Sequence, residues 1–220
     1  MAISEAMRDI IHEPLALLGG PKAVSDGDAQ MHGDLFHWPI VTAEDEEAVI
    51  SVLRKGTMSA TDITRRFEDE FSRYLGTHYA LAHCNGTTAL LSAMYAAGLK
   101  RGDELICPSI TYWASALQAF SLGATAVFAD IDPETLCLDP SDIERHLGPR
   151  TKAIMVVHYC GHPTDMDPVM SIARKHGLRV IEDVSHAHGT LYKGQMCGTF
   201  GDVAAMSMMA GKSFAIGEAG

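Results

Sequence analysis

Four short segments carry residue types that chemistry uses. Asn85-Gly86-Thr87-Thr88 stands directly before a predicted helix. Glycine lets the backbone approach a ligand closely, and a helix start offers free N–H groups and a positive dipole end to an anion. The same residues also make an ordinary helix cap. The segment is neither a Walker loop nor a GxGxxG turn. Pro108-Ser-Ile-Thr-Tyr112-Trp113 places two adjacent aromatics after a predicted strand, where they serve either as a flat face for a planar ring or as core. Ile181-Glu182-Asp183 ends a buried strand with two carboxylates, and alternation along the strand turns one toward a site and its neighbour away. A carboxylate there suits a cationic ring nitrogen, a metal or a ribose. Lys212, within Ala210-Gly211-Lys212-Ser213, is either a surface lysine or an amine with few charged neighbours. Its nearest acids in sequence are Asp202 and Glu218.

The elements that must position these segments follow from patterning. Thr42 and Asp45 form a capping box before the apolar stripe Ala48, Val49, Val52 and Leu53, with Gly56 as the stop. A second amphipathic helix from about Thr61 aligns Ile63, Phe67, Phe71, Tyr74 and Leu75 and ends at Gly76. Both read as surface helices packed on something larger. Short apolar strands are expected at 79–84, 104–107, 125–129, 153–158, 179–182 and 203–207, with helices at 87–97, 113–122 and 165–176 between them. Continuous apolar strands alternating with helices imply an α/β fold with a parallel sheet covered on both faces. Ligands of such sheets sit at the carboxyl ends of the strands, where all four segments fall. Residues 1–37 read as an N-terminal extension and 38–220 as the main domain.

Composition narrows the classes. The chain has 220 residues, 17 Lys and Arg against 28 Asp and Glu, a net charge of −11, and an apolar fraction of 47%. That is the balance of a folded globular protein. An acidic chain without a basic block suits no nucleic-acid partner. No apolar run approaches the roughly 20 residues that span a bilayer, and the first residues lack the cationic start and apolar stretch of a secretory signal. The expectation is a cytoplasmic protein without a membrane partner. Five widely spaced cysteines suit neither a disulfide framework nor a zinc site. The pairs His158/His162 and His186/His188 lack a visible third ligand, so hydrogen-bonded histidines are expected and no metal.

Together the four segments supply a phosphate cup, an aromatic plate, a carboxylate and a lysine. Pyridoxal 5′-phosphate (PLP) needs all four: an anchor for phosphate, a stacking face, an anion for the pyridinium nitrogen and an amine for the Schiff base. At these residues the chain resembles the DegT/DnrJ family of PLP-dependent sugar aminotransferases, within the fold-type-I superfamily. The matching segments are WPIVTAEDEEAVISVLRKG at 38–56, CNGTTAL at 84–90, PSITYWASALQAFSLGATAVFADIDPETL at 108–136, PRTKAIMVVHYCGHPTDMD at 149–167, VIEDVSHAHGTLYKG at 180–194 and SMMAGKSFAIGEAG at 207–220.

The resemblance implies a three-layer α-β-α large domain with a mostly parallel sheet. It implies Lys212 as the Schiff-base lysine and Asp183 as the partner of the pyridinium nitrogen. His186 would lie by the ring and its 3-hydroxyl, Gly86, Thr87 and Ser207 would hold the phosphate, and Tyr112 would stack on the ring. Family members working as dehydratases have histidine in place of the lysine, so Lys212 implies transamination. The amino donor would be glutamate or glutamine, and the acceptor a keto-sugar or keto-cyclitol of nucleotide-sugar or aminocyclitol biosynthesis. A homodimer with shared active sites is implied as well. Family members run on past the position of Gly220, and the expected continuation holds another strand, a small domain and further cofactor contacts. Two other readings compete: a truncated PLP-fold protein without catalysis, and a fold-type-I lyase or desulfurase acting on an amino acid.

Overall fold

The computed structural model describes residues 38–220, with Pro14, Leu18, Gly20, Lys22 and Gly27 before them. The expected N-terminal extension lies otherwise outside the described residues. The chain divides into two units, residues 1–40 and Val41–Gly220, and the second holds the fold described below.

Helix α1 (Ala43–Lys55) starts at the anticipated capping box. Asp45 N–H donates to Thr42 Oγ1 at 3.3 Å, and Thr42 N–H donates to Asp45 Oδ2 at 2.8 Å. Its C-terminus closes at Gly56, whose φ of 65° is the left-handed conformation glycine adopts without penalty. The stripe that should bury it is not buried: Val49 is 61% and Leu53 55% exposed. Helix α2 (Asp62–Leu75) does pack, through Phe71 and Leu75, on the apolar cluster beneath it.

Five strands form one parallel sheet: β1 (Glu104–Pro108), β2 (Thr125–Ala129), β3 (Thr151–Val157), β4 (Arg179–Asp183) and β7 (Val203–Ala205), in the order β2-β1-β3-β4-β7. A two-stranded hairpin, β5 (Leu191–Tyr192) with β6 (Gln195–Met196), precedes β7. Alternation along the strands separates two cores. Leu105, Cys107, Ala153, Met155 and Ile181 face helices α3 (Gly86–Ala96) and α4 (Ala114–Ser121). Ile106, Ile154, Val156 and Val180 face α6 (Met166–His176) and Ile143 of the short α5 (Pro140–Ile143). This is the expected three-layer arrangement, with the central strands β1, β3 and β4 buried on both faces and the edge strand β2 leaving Phe128 exposed.

One expected strand is absent. Residues 79–84 form no strand of the sheet, and Tyr79 and Leu81 are 87% and 74% exposed. A strand needs a ladder as well as apolar residues. Here Ala82 N–H donates to the Glu68 carboxylate at 2.9 Å, and His83 exchanges a pair of backbone hydrogen bonds with Gly220 alone. Among the described residues no helix is long and apolar enough to cross a membrane.

Candidate active site

The carboxyl ends of the strands and the start of α3 converge on one cavity of about 200 Å³. Its lining includes Gly86, Thr87, Tyr112, Asp183, His186, Ser207 and Lys212, so all seven residues singled out from sequence meet there.

The cavity wall formed by the start of α3 and Ser207 is built by backbone geometry. Asn85, in extended conformation, caps α3 by accepting from Thr88 N–H at 2.9 Å. The N–H groups of Gly86 and Thr87 precede the helix's own hydrogen-bond ladder. Gly86 is set against β7's exit: a Cβ placed on it would come 2.6 Å from Ser207 Cβ and 2.8 Å from Ser207 Cα. No side chain fits, and that closeness brings the α3 start and the Ser207 hydroxyl to one anion-sized region. Ser207 is itself held, its N–H donating to Ser185 Oγ at 3.0 Å. Two threonines, Thr87 and Thr88, follow Gly86 in sequence, and either could offer a hydroxyl to the cavity. Thr88 does not, because its hydroxyl turns back to donate to Asn85 O at 2.8 Å. Ser207 supplies the second hydroxyl.

At the end of β4 the two carboxylates part as alternation requires. Asp183 is buried at the cavity wall. Its Oδ2 accepts from Ser115 Oγ at 2.7 Å and its Oδ1 from Ser185 N–H at 3.1 Å. Beneath it the Cys107 thiol is pushed up, by burial first and by the Asp183 charge second. Glu182 faces the other way into the core, against His158.

His186 is half-buried, its Nδ1 accepting from Cys160 N–H at 3.4 Å, which leaves Nε2 as the nitrogen that carries the proton. Tyr159 lies edge-on to its ring. Burial lowers the His186 pKa, the Lys212 charge lowers it further, and Asp183 opposes both. His188 is lowered as well, chiefly by burial and, less, by Lys212, against the Ser207 backbone. Its Nδ1 meets Ser213 Oγ at 3.2 Å, beside Lys212. Lys212 is half-buried, in a turn where its N–H donates to Met209 O at 2.9 Å.

Neither aromatic after β1 is core. Tyr112 is 58% exposed on the cavity rim, with Trp113 tilted against it at a centroid distance of 5.0 Å. Sequence reasoning missed Ser115, Thr111 and Ser185. Small hydroxyls on a helix or loop carry no signal of their own until the fold places a carboxylate beside them. A larger cavity of about 420 Å³ lies along α2, among Phe67, Phe71, Tyr74 and Phe214. It is mainly apolar and no lysine lines it, so the chemistry belongs to the smaller one.

This set of donors, carboxylate and amine is that of a phosphate-bearing carbonyl cofactor, and the comparisons with known proteins decide the family. A model of the DegT/DnrJ/EryC1/StrS aminotransferase family matches residues 39–220. The chain belongs to this family. It is 47% identical over 154 residues to GDP-perosamine synthase of Caulobacter vibrioides, covering 70% of this chain and 42% of that protein. It is 40% identical over 190 residues to L-glutamine:2-deoxy-scyllo-inosose aminotransferase of Streptomyces kanamyceticus, covering 83% and 44%. Spr1654 of Streptococcus pneumoniae, solved in PLP and PMP (pyridoxamine phosphate) forms, superposes with a TM-score of 0.80 at 28% identity, over 84% of this chain and 51% of that one in the PLP form. The chain spans about half the length of the curated relatives it matches.

Two outcomes test the site. Gly86→Ala forces the start of α3 away from Ser207. Titration of the purified protein with PLP is expected to show affinity weakened at least tenfold, roughly the loss of one charge-assisted hydrogen bond, with the far-UV spectrum unchanged. Equal affinity would mean that this contact does not shape the anion wall. Because His186 and His188 are held below their ordinary value of 6.5, the unfolded chain binds protons first as pH falls. Stability is therefore complete above about 6.5 and declines below it. Thermal unfolding between pH 7.5 and 5 should fall less steeply in His186→Gln/His188→Gln than in the parent.

Proposed function

We propose that the chain carries the cofactor site of a PLP-dependent aminotransferase. In this reading it moves an amino group from glutamate or glutamine to a keto-sugar or keto-cyclitol. The observation that carries the reading is the meeting of Lys212, Asp183 and the Gly86–Ser207 anion wall around one cavity. The relatives, named for perosamine synthesis and for glutamine-dependent amination of an inosose, support the donor and acceptor classes. Residues 38–220 form the cofactor-binding domain, and residues 1–37 an extension from it.

The residues present fit the cofactor. The Gly86 and Thr87 N–H groups and the Thr87 and Ser207 hydroxyls bind a phosphate dianion at a helix start. Tyr112 covers one face of the ring. Asp183, fixed by two donors, keeps unused lone pairs for a cationic ring N–H and so holds a proton on that nitrogen. Bound PLP supplies the carbonyl that takes up the amino group and the ring that withdraws electrons. Lys212 Nζ would be the covalent anchor and then the base that takes a proton from the donor's α-carbon and, in the second half-reaction, gives one to the acceptor's carbonyl carbon. His186, neutral at pH 7 because burial and Lys212 lower its pKa, offers Nε2–H as a donor rather than a second cation.

The first experiment is the visible absorption spectrum of the chain with added PLP, beside Lys212→Ala. A borohydride-reducible band present only with the lysine is expected. A full-length protein without such a band would overturn the cofactor reading. With the band in hand, amino transfer from glutamate or glutamine to keto-sugars and keto-cyclitols is assayed. Release of sulfide or an aldehyde from an amino acid without amino transfer would turn the reading to a lyase.

A homodimer is part of the same proposal. Its support is the exposed apolar side chains Trp113, Leu117 and Phe120 on and beside α4, next to the cavity rim. Sedimentation equilibrium of the full-length chain should give twice the monomer mass, and a monomer at micromolar concentration refutes it.

A further inference from the structure

Behind the cavity wall, a line of hydroxyls ends on Asp183. Thr111 Oγ1 and Ser115 Oγ lie 2.7 Å apart, and Ser115 Oγ lies 2.7 Å from Asp183 Oδ2. Ser115 is wholly buried on α4, whereas Thr111 lines the cavity. A hydroxyl has one proton to give. Ser115 donates its proton to Asp183, so it must accept from Thr111. The chain thus has one direction: Thr111 Oγ1–H to Ser115 Oγ, and Ser115 Oγ–H to Asp183 Oδ2. Because Ser115 is wholly buried, water does not compete for its hydroxyl. The neighbouring Cys107 thiol is turned to Ser115 O at 3.7 Å.

We propose that Thr111 and Ser115 are positioning residues that fix the Asp183 carboxylate and occupy its Oδ2, setting how it holds the proton on the cofactor's ring nitrogen. The inference rests on the PLP reading above and adds two residues to it. A carboxylate stripped of a donor becomes the stronger base and pulls the ring proton toward itself. A bound cofactor ring would then carry less positive charge and withdraw electrons less well, and the Lys212-dependent band would keep its protonated form to higher pH. Other ionisable groups facing Asp183 are Cys107 on β1, His186 and His188 after β4, and Lys212 after β7. The β3 side contributes the His158 backbone N–H, bonded to Asp183 O at 3.3 Å. All of these stay constant across the variants below, so a difference between variants reads the hydroxyls.

The test uses the full-length protein saturated with PLP and follows the visible band against pH in the parent, Ser115→Ala, Thr111→Val and Thr111→Ser. Ser115→Ala should move the midpoint of the band upward by about one pH unit, the size a lost hydrogen bond to a charged group carries. Thr111→Val should move it in the same direction by less, and Thr111→Ser, which keeps the hydroxyl, should match the parent. Amino transfer by Ser115→Ala should lose on the order of tenfold in kcat with the donor KM unchanged, since Ser115 does not reach the cavity. A merely structural serine would leave the midpoint in place. Unchanged midpoints in Ser115→Ala and Thr111→Val overturn the relay, and Thr111→Val alone decides if Ser115→Ala fails to fold. If the parent shows no Lys212-dependent band, the cofactor reading itself falls and the relay with it.

Discussion

The site depends on a carboxylate that does not belong to it. Glu182 is wholly buried, and stripping a carboxylate of water costs several kcal/mol unless donors replace the water. Four do. Gly198 N–H and His158 Nε2 reach Oε2 at 2.8 and 3.0 Å, and Phe200 and Gly201 N–H reach Oε1 at 2.8 and 2.7 Å. Thr164 N–H donates to His158 Nδ1 at 3.1 Å, so Nε2 is the protonated nitrogen and the histidine acts as a neutral donor. This cluster ties β3, β4 and the approach to β7 at the level where their carboxyl ends open into the cavity. Because strand residues alternate, holding Glu182 on one face obliges Asp183 to present itself on the other.

The same logic explains why the two sides of the sheet differ. On the Glu182 side, backbone N–H groups satisfy the charge, and the packing around it is closed. On the Asp183 side, Ser115 and Ser185 use only part of the carboxylate's accepting capacity, and the remainder faces the cavity. The anion wall is set by a contact rather than by charge. Gly86 meets Ser207 at a distance no side chain tolerates, so the helix start and the β7 exit act as one surface. The buried glutamate thus places the aspartate, and the glycine contact places the Ser207 hydroxyl beside the start of α3.

Much of this was legible in the sequence. Parallel strands buried on both faces read as continuous apolar runs, which is why β1, β3 and β4 fall where patterning puts them; β2, with Phe128 exposed, is found by its apolar composition alone. Gly86, Thr87, Tyr112, Asp183 and Lys212 stand out because each ends or follows a strand or opens a helix, where an α/β sheet binds ligands, whereas His186 and Ser207 are implied by the family resemblance alone. Other features had no local signal. Residues 79–84 have strand-like composition, but pairing is a property of neighbours, and the neighbours there give one backbone pair and one side-chain acceptor. The β5–β6 hairpin turns on Lys193 and Gly194, at φ 49° and 84°. The glycine suggests a turn, but lysine is not a residue that announces a left-handed one. Thr88 looked like a second phosphate donor, yet its hydroxyl had a nearer acceptor in Asn85 O. Ser115 lies 68 residues from Asp183 in sequence, a partnership only the folded chain creates.

The charges at the cavity show why burial matters more here than charge count. The chain carries a net −11, yet the cavity lining sets one lysine against an aspartate and a glutamate, with a histidine beside them. Were His186 charged, it would stand as a second cation beside Lys212 and compete with it for the aspartate. Burial removes that option, and Lys212 reinforces it by repelling a second positive charge. The amine and the imidazole can therefore share one small cavity, one as a cation or nucleophile and the other as a neutral hydrogen-bond donor. That division is set by the half-buried position of His186 and by the Cys160 N–H, which occupies Nδ1 and leaves the proton on Nε2.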